Sequence, residues 1–140
     1  MSKKTNIKYV VGDATAPQGE SKKIICHICN DIGAWGAGFV LALSNKWRYP
    51  EDFYRARHTY PLGHADVLSV EENVYVANMI AQRSTRPDSK GVPPIRYDAL
   101  KDTLSKSVSP AVPSLAKSDI PLVRVVGFAV SIKHLADPIL

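Results

Sequence analysis

A chain of 140 residues, with 45% hydrophobic and 22% charged side chains, has the size and make-up of one globular domain over residues 1–140 and leaves no room for a second. Its formal net charge of +5 comes from Lys and Arg scattered along the chain, which suits long-range attraction of an anionic partner and no more. No apolar run approaches the roughly 20 residues of a transmembrane helix, and Met1 to Asn6 is too polar for a signal peptide, so a soluble, cytoplasmic protein without membrane attachment is expected.

Asn6 to Val11 alternates weakly and ends at Gly12-Asp13, which predicts a first strand with its exit turn over Gly12 to Pro17. Asp13 then stands at a strand's carboxyl end, where α/β folds collect ligands; the alternative is a turn aspartate capping its own backbone. Ile24 to Cys29 is a short apolar run fit for an inner strand, and it carries Cys26 and Cys29 in C-x-x-C spacing. A redox pair needs its nucleophile at a helix N-terminus, whereas strand residues three apart point to opposite faces. A zinc site needs about four ligands, and this chain offers two Cys and four scattered His. Two reduced, buried thiols and no metal are expected, and His27, which alternates with them, reads as a packed or edge histidine rather than a catalyst.

The stretch after this strand organises the chain. Asn30-Asp31-Ile32-Gly33-Ala34-Trp35-Gly36-Ala37-Gly38-Phe39 holds three of the eight glycines and leads into a helix whose Phe39, Val40, Leu43 and Trp47 share one apolar face. Glycines let backbone approach a ligand closely, and the free N–H groups and positive dipole end of a helix N-terminus favour an anion. Gly36 and Gly38 lie on the path of such an anion, so valine at either should block binding without disturbing the fold. Asn30 and Asp31 close the strand at the mouth of this loop, where short polar side chains cap the turn or touch a ligand. Trp35, a large aromatic on a glycine loop, is read as a lid over the ligand.

Arg48 to His58 is predicted as a short helix with Pro50 at its start and Glu51 and Asp52 in the first turn. Ala65 to Val70 and Val74 to Ile80, separated by Glu71-Glu72-Asn73, predict a hairpin and hence a mixed sheet. The polar segment Arg83 to Gly91 reads as a loop beside a site, and Arg83, Arg86, Lys90 and Arg96 are candidate phosphate contacts among mostly solvated surface. Ile95 to Lys106 predicts a helix. Beyond it the chain changes: residues 107–140 hold four of the ten prolines and five serines, Pro110 and Pro113 break the helix, and Leu122 to Ile132 is the one run able to form a strand.

The Cys-Asn-Asp-x-Gly-x-Trp-Gly-x-Gly-Phe stretch resembles the ligand loop of macrodomains, the modules that bind ADP-ribose and include the ADP-ribose 1″-phosphate processing type, and in particular that of a small bacterial branch. Gly12-Asp13-Ala14-Thr15 resembles the family's adenine-side motif, and Leu62-Gly63, Tyr75-Val76-Ala77-Asn78-Met79-Ile80 and Lys90 to Ala99 recur in the same branch. The likeness spans about residues 6–106, while 107–140 departs from it, as a shifted reading frame or a replaced C-terminus would.

The resemblance implies an α/β, three-layer fold with a mixed sheet flanked by helices. It implies that Asp13 and Ala14 meet the adenine, that Gly33, Ala34, Trp35, Gly36, Ala37, Gly38 and Phe39 cradle the diphosphate, and that Asn30 and Asp31 approach the distal ribose. ADP-ribose or an ADP-ribosylated macromolecule is the implied partner, and no cofactor is called for. The family's second glycine-rich phosphate loop has no counterpart after residue 106, so half of the usual cradle is missing and affinity should suffer. Deglycosylating relatives use a lysine where Gln82 stands and an aspartate in that second loop. An alternative function is therefore a weak hydrolase of ADP-ribosyl groups or of the 1″-phosphate, with Asp31 as the water-activating base. A further alternative is a basic nucleic-acid or protein interaction module.

Overall fold

The computed structural model describes residues 12–18, 23–108 and 122–125, with side chains placed as far as residue 106. The expected strand over Asn6 to Val11, the prolines at 110 and 113, and the run beyond Val125 lie outside the described residues.

The inner strand β1 spans Lys23–Asn30 and is buried at every position. It is followed by helices α1 (Phe39–Lys46) and α2 (Tyr49–Arg55), the hairpin strands β2 (Ala65–Glu71) and β3 (Val74–Gln82), helix α3 (Tyr97–Val108) and strand β4 (Leu122–Val125). The described strands form one sheet in the order β2-β3-β1-β4. β1 runs parallel to both β3 and β4, while β2 is antiparallel to β3, so the sheet is mixed as the sequence predicts. Parallel pairing on both sides explains the unbroken apolar run: β1 is covered on both faces and cannot alternate with polar residues.

Side chains of β1 and β3 sort by parity into two cores. Ile24, Cys26, Ile28, Ala77, Met79 and Ala81 meet Ile95, Ala99 and Leu100 under α3. Ile25, Cys29, Val74, Val76 and Ile80 meet Leu43 of α1, Tyr54 of α2 and Trp35. The architecture is therefore helix, sheet, helix, and Cys26 and Cys29 lie in opposite layers as reduced, buried thiols. α3 begins at Tyr97, two residues later than its pattern predicts, because Ile95 is first spent on a bridge to Gln82 and the Arg96 amide donates to Ala81 O at 2.8 Å. In the hairpin turn Asn73 takes φ 62°, a left-handed conformation that asparagine tolerates better than most residues.

A polar pair crosses the helix α1/α2 face of the sheet. His27 Nε2 and Asn78 Oδ1, on residues paired in register, are 2.5 Å apart, and Asn78 Nδ2 donates to Pro50 O at 3.1 Å. The Pro50 carbonyl fixes the amide's orientation, so His27 carries its proton on Nε2. His27 is fully buried and its ring meets Trp35 edge-on at 5.4 Å between centroids. Burial pulls its pKa down from 6.5 to about 4, partly opposed by the bond to Asn78. A depressed folded-state pKa means that the unfolded chain takes up the proton first, so stability is lost as pH falls from about 6.5 through about 4. At about 1.4 kcal/mol per pH unit the loss is about 3 kcal/mol. In urea titrations at several pH values, the stability difference between the parent and His27→Gln should shrink by about that much across this window. A difference that stays constant with pH would contradict a buried neutral His27.

Candidate functional site

β1 and β3 end side by side, with Asn30 paired to Gln82, and two loops leave from this edge: the glycine loop 31–38 and the loop 83–94. The glycine loop has a fixed shape, and Asn30 sets it. Its Nδ2 donates to Ala34 O at 2.8 Å, while its Oδ1 accepts from the amides of Ile32 at 3.1 Å and Ala34 at 2.9 Å. The Tyr54 hydroxyl lies 2.6 Å from Asn30 O and 2.8 Å from Asn30 Oδ1, so its one proton is shared between them. Burial, reinforced by nearby Cys29 and Tyr60, raises the Tyr54 pKa and keeps that proton in place. Asn30 is 7% exposed with its amide spent on the loop itself. The side chain is a staple inside the loop, the turn-capping alternative for this position.

The reading of Trp35 as a surface lid is corrected. The residue is 4% exposed, its indole N–H donates to Ser44 Oγ at 2.7 Å, and its ring packs on Tyr54 at 5.3 Å. The loop folds the indole inward under α1 and α2, where burial of a large aromatic outweighs anything an exposed lid would gain. Helix α2 grips the same segment from outside, since Arg55 Nη2 donates to Trp35 O at 2.8 Å. Tyr60 closes the grip: a Cβ built on Gly33, which has φ 76°, would sit 3.0 Å from the Tyr60 ring. Tyr54, Arg55 and Tyr60 thus shape the site, and no local motif announces them; they matter through contacts 20 or more residues away in the chain.

With Trp35 turned inward, Ala34, Gly36, Ala37 and Gly38 form the exposed face of the loop, and Phe39 begins α1 half-buried. Gly38 is the N-cap with φ 80° and ψ −144°, a backbone region essentially reserved for glycine. Valine there would strain the turn, which corrects the expectation that Gly38→Val leaves the fold intact. No side chain caps α1 and no acidic residue lies in its first turn, so no carboxylate there opposes its partial positive charge.

Asp13 adopts the turn-capping role: Oδ1 accepts from Thr15 N at 2.9 Å and from Thr15 Oγ1 at 2.7 Å. These bonds hold its pKa below the usual carboxylate range. Lys46 Nζ donates to Thr15 O at 2.6 Å, which ties the segment bearing Asp13 and Ala14 to α1, the helix whose other end receives the glycine loop. Asp31 is half-buried, with Oδ1 accepting from Ser84 N at 2.7 Å. Gln82 turns its amide to Ser84 O at 2.8 Å. Arg83, Arg86 and Lys90 are exposed, whereas Arg96 uses Nη1 on the carbonyls of Pro93, Pro94 and Ile95. Among the described residues no group of three or more His, Cys, Asp or Glu is arranged to hold a metal.

No protein-family model matches the chain, and no curated protein does. Solved structures do. Two structures from Bacteroides thetaiotaomicron, an X-ray crystal structure and one of a protein described as of unknown function, share 47% identity with it; the matches cover 81% and 84% of this chain and 72% and 73% of the other, with TM-scores of 0.69 and 0.72. A macrodomain protein from Streptomyces coelicolor shares 36% identity over 91% of this chain and 84% of its own, with a TM-score of 0.69. The chain belongs to the macrodomain family. In this macrodomain residues 30–39 leave the carboxyl end of the central strand β1, with the side chains of Asn30 and Trp35 turned inward. No helix among its described residues is long and apolar enough to cross a membrane.

Proposed function

We propose that this macrodomain binds ADP-ribose or an ADP-ribosyl group, with the diphosphate against the backbone of Gly36 to Phe39 and the adenine near Asp13. The observation that carries the reading is the pre-shaped glycine loop: stapled by Asn30, clamped by Tyr54 and Arg55, and delivering an uncapped, acid-free helix N-terminus to solvent. An anion meeting such a site need not order the loop first, which lowers the cost of binding. Asp31 and Ala14 complete the ligand's two ends. Gln82, lacking a nucleophilic or basic atom, favours binding over turnover.

Calorimetric titration with ADP-ribose, AMP and a short RNA separates this function from a nucleic-acid module. ADP-ribose should bind, and Asp13→Ala should weaken ADP-ribose and AMP alike by about 1 to 3 kcal/mol, because the adenine amino group loses its acceptor and the Thr15 turn its cap. RNA binding without ADP-ribose binding would overturn the proposal.

A further inference from the structure

The half-buried carboxylate of Asp31 does something besides face the site. Its amide donates to Gln82 O at 2.9 Å, carrying the β1–β3 pairing one residue past the strand ends. Its Oδ1 then accepts from Ser84 N at 2.7 Å, while Gln82 Nε2 donates to Ser84 O at 2.8 Å. Ser84 is therefore held at both its N–H and its carbonyl by the two strand ends. It also sits at φ 60°, a left-handed conformation that costs a serine on the order of 1 kcal/mol and persists where the surroundings dictate it. The hydrogen bond that Asp31 Oδ1 accepts from Ser84 N supplies that constraint.

The rest of the loop is braced by its own hydrogen bonds. Its base is closed by Arg83 N donating to Pro94 O at 2.8 Å and by the bridge between Gln82 and Ile95. Its tip is wound around Asp88, whose Oδ1 accepts from the amides of Lys90 at 2.8 Å and Val92 at 2.9 Å. A closed loop with one strained residue next to its base takes its attitude from whatever holds that residue.

We propose that Asp31 is a positioning residue: by fixing Ser84 it sets the loop 83–94 against the glycine loop and so shapes the wall of the site at its distal-ribose end. The assignment rests on the ADP-ribose reading for its functional consequence, and on hydrogen-bond geometry alone for the clasp. It also parts company with a general-base role, because the two make different demands of the side chain. A base needs a carboxylate that can take up a proton, whereas a clasp needs only an oxygen that accepts an N–H.

Asp31→Asn keeps the acceptor and removes the base, and Asp31→Ala removes both. Limited trypsin digestion reads the clasp without any ligand, through cleavage after Arg83 and Lys90; Arg86 precedes Pro87 and is resistant. Asp31→Ala should be cut about tenfold faster than the parent while Asp31→Asn stays near it, because proteolysis tracks local opening. In titrations Asp31→Ala should lose about tenfold in ADP-ribose affinity with AMP affinity unchanged, and Asp31→Asn should restore most of the loss. Should Asp31→Ala fail to fold, Asp31→Ser shortens the reach and carries the same expectation. Cleavage of the alanine or serine variant at the parental rate, or an asparagine variant as damaged as alanine, would overturn the proposal. Faster cleavage with no ADP-ribose binding by the parent would leave the clasp standing and remove the binding reading instead.

Discussion

Trp35→Ala should destabilise the fold by about 3 to 5 kcal/mol, the usual cost of emptying a tryptophan site in a well-packed core. The indole fills the space between His27, Tyr54 and the inner face of α1, and its N–H satisfies Ser44. Removing it leaves a cavity beside a buried imidazole and deprives the glycine loop of its anchor, so affinity for ADP-ribose falls as a secondary effect. Urea denaturation measures the first effect directly. A lid on the surface would behave in the opposite way, with near-parental stability and lost affinity, and that outcome would contradict the packing described above.

Gly36→Val should have the reverse signature: near-parental stability and about a hundredfold loss of ADP-ribose affinity, or about 2.7 kcal/mol. A Cβ at Gly36 meets nothing within 4 Å, and Gly36 is not among the glycines with positive φ, so the folded chain has room for the side chain. The space it would occupy is the approach to the loop backbone and the α1 N-terminus. A phosphate there would be pushed away from the N–H groups by a β-branched group with few rotamers to escape into. The two substitutions lie one residue apart and are expected to divide cleanly between folding and binding. Equal affinity of a folded Gly36→Val and the parent would remove the glycine loop from the site.

What the sequence revealed and what it hid follow from the range of the forces involved. The buried strand β1, the hairpin and the opposite orientation of Cys26 and Cys29 were legible because period and composition are local properties, and a strand covered on both faces writes itself as Ile-Ile-Cys-His-Ile-Cys. The α1 start was legible through Gly38, whose backbone angles suit glycine. Trp35 was misjudged because a tryptophan among glycines looks exposed until the partners that bury it, Tyr54 and Leu43, are placed beside it. Asn30 was ambiguous for a related reason. Its position at the strand end is the same for a ligand contact and for a loop staple, and only the distances to Ala34 and Tyr54 distinguish them. Asp13 shows the converse, since the turn-capping alternative is the one its Thr15 bonds display, leaving its adenine role to be tested.

The central claim is that the backbone from Gly36 to Phe39 receives the diphosphate, and an amide-resolved titration tests it most directly. In a nitrogen–proton correlation spectrum of the parent protein, ADP-ribose should move the amide signals of Gly36, Ala37, Gly38 and Phe39 along a common saturation curve. Those of Glu72 and Asn73, in the hairpin turn at the opposite end of the sheet, should stay in place. Static signals at the glycine loop while others shift and saturate would place the ligand elsewhere and contradict the account.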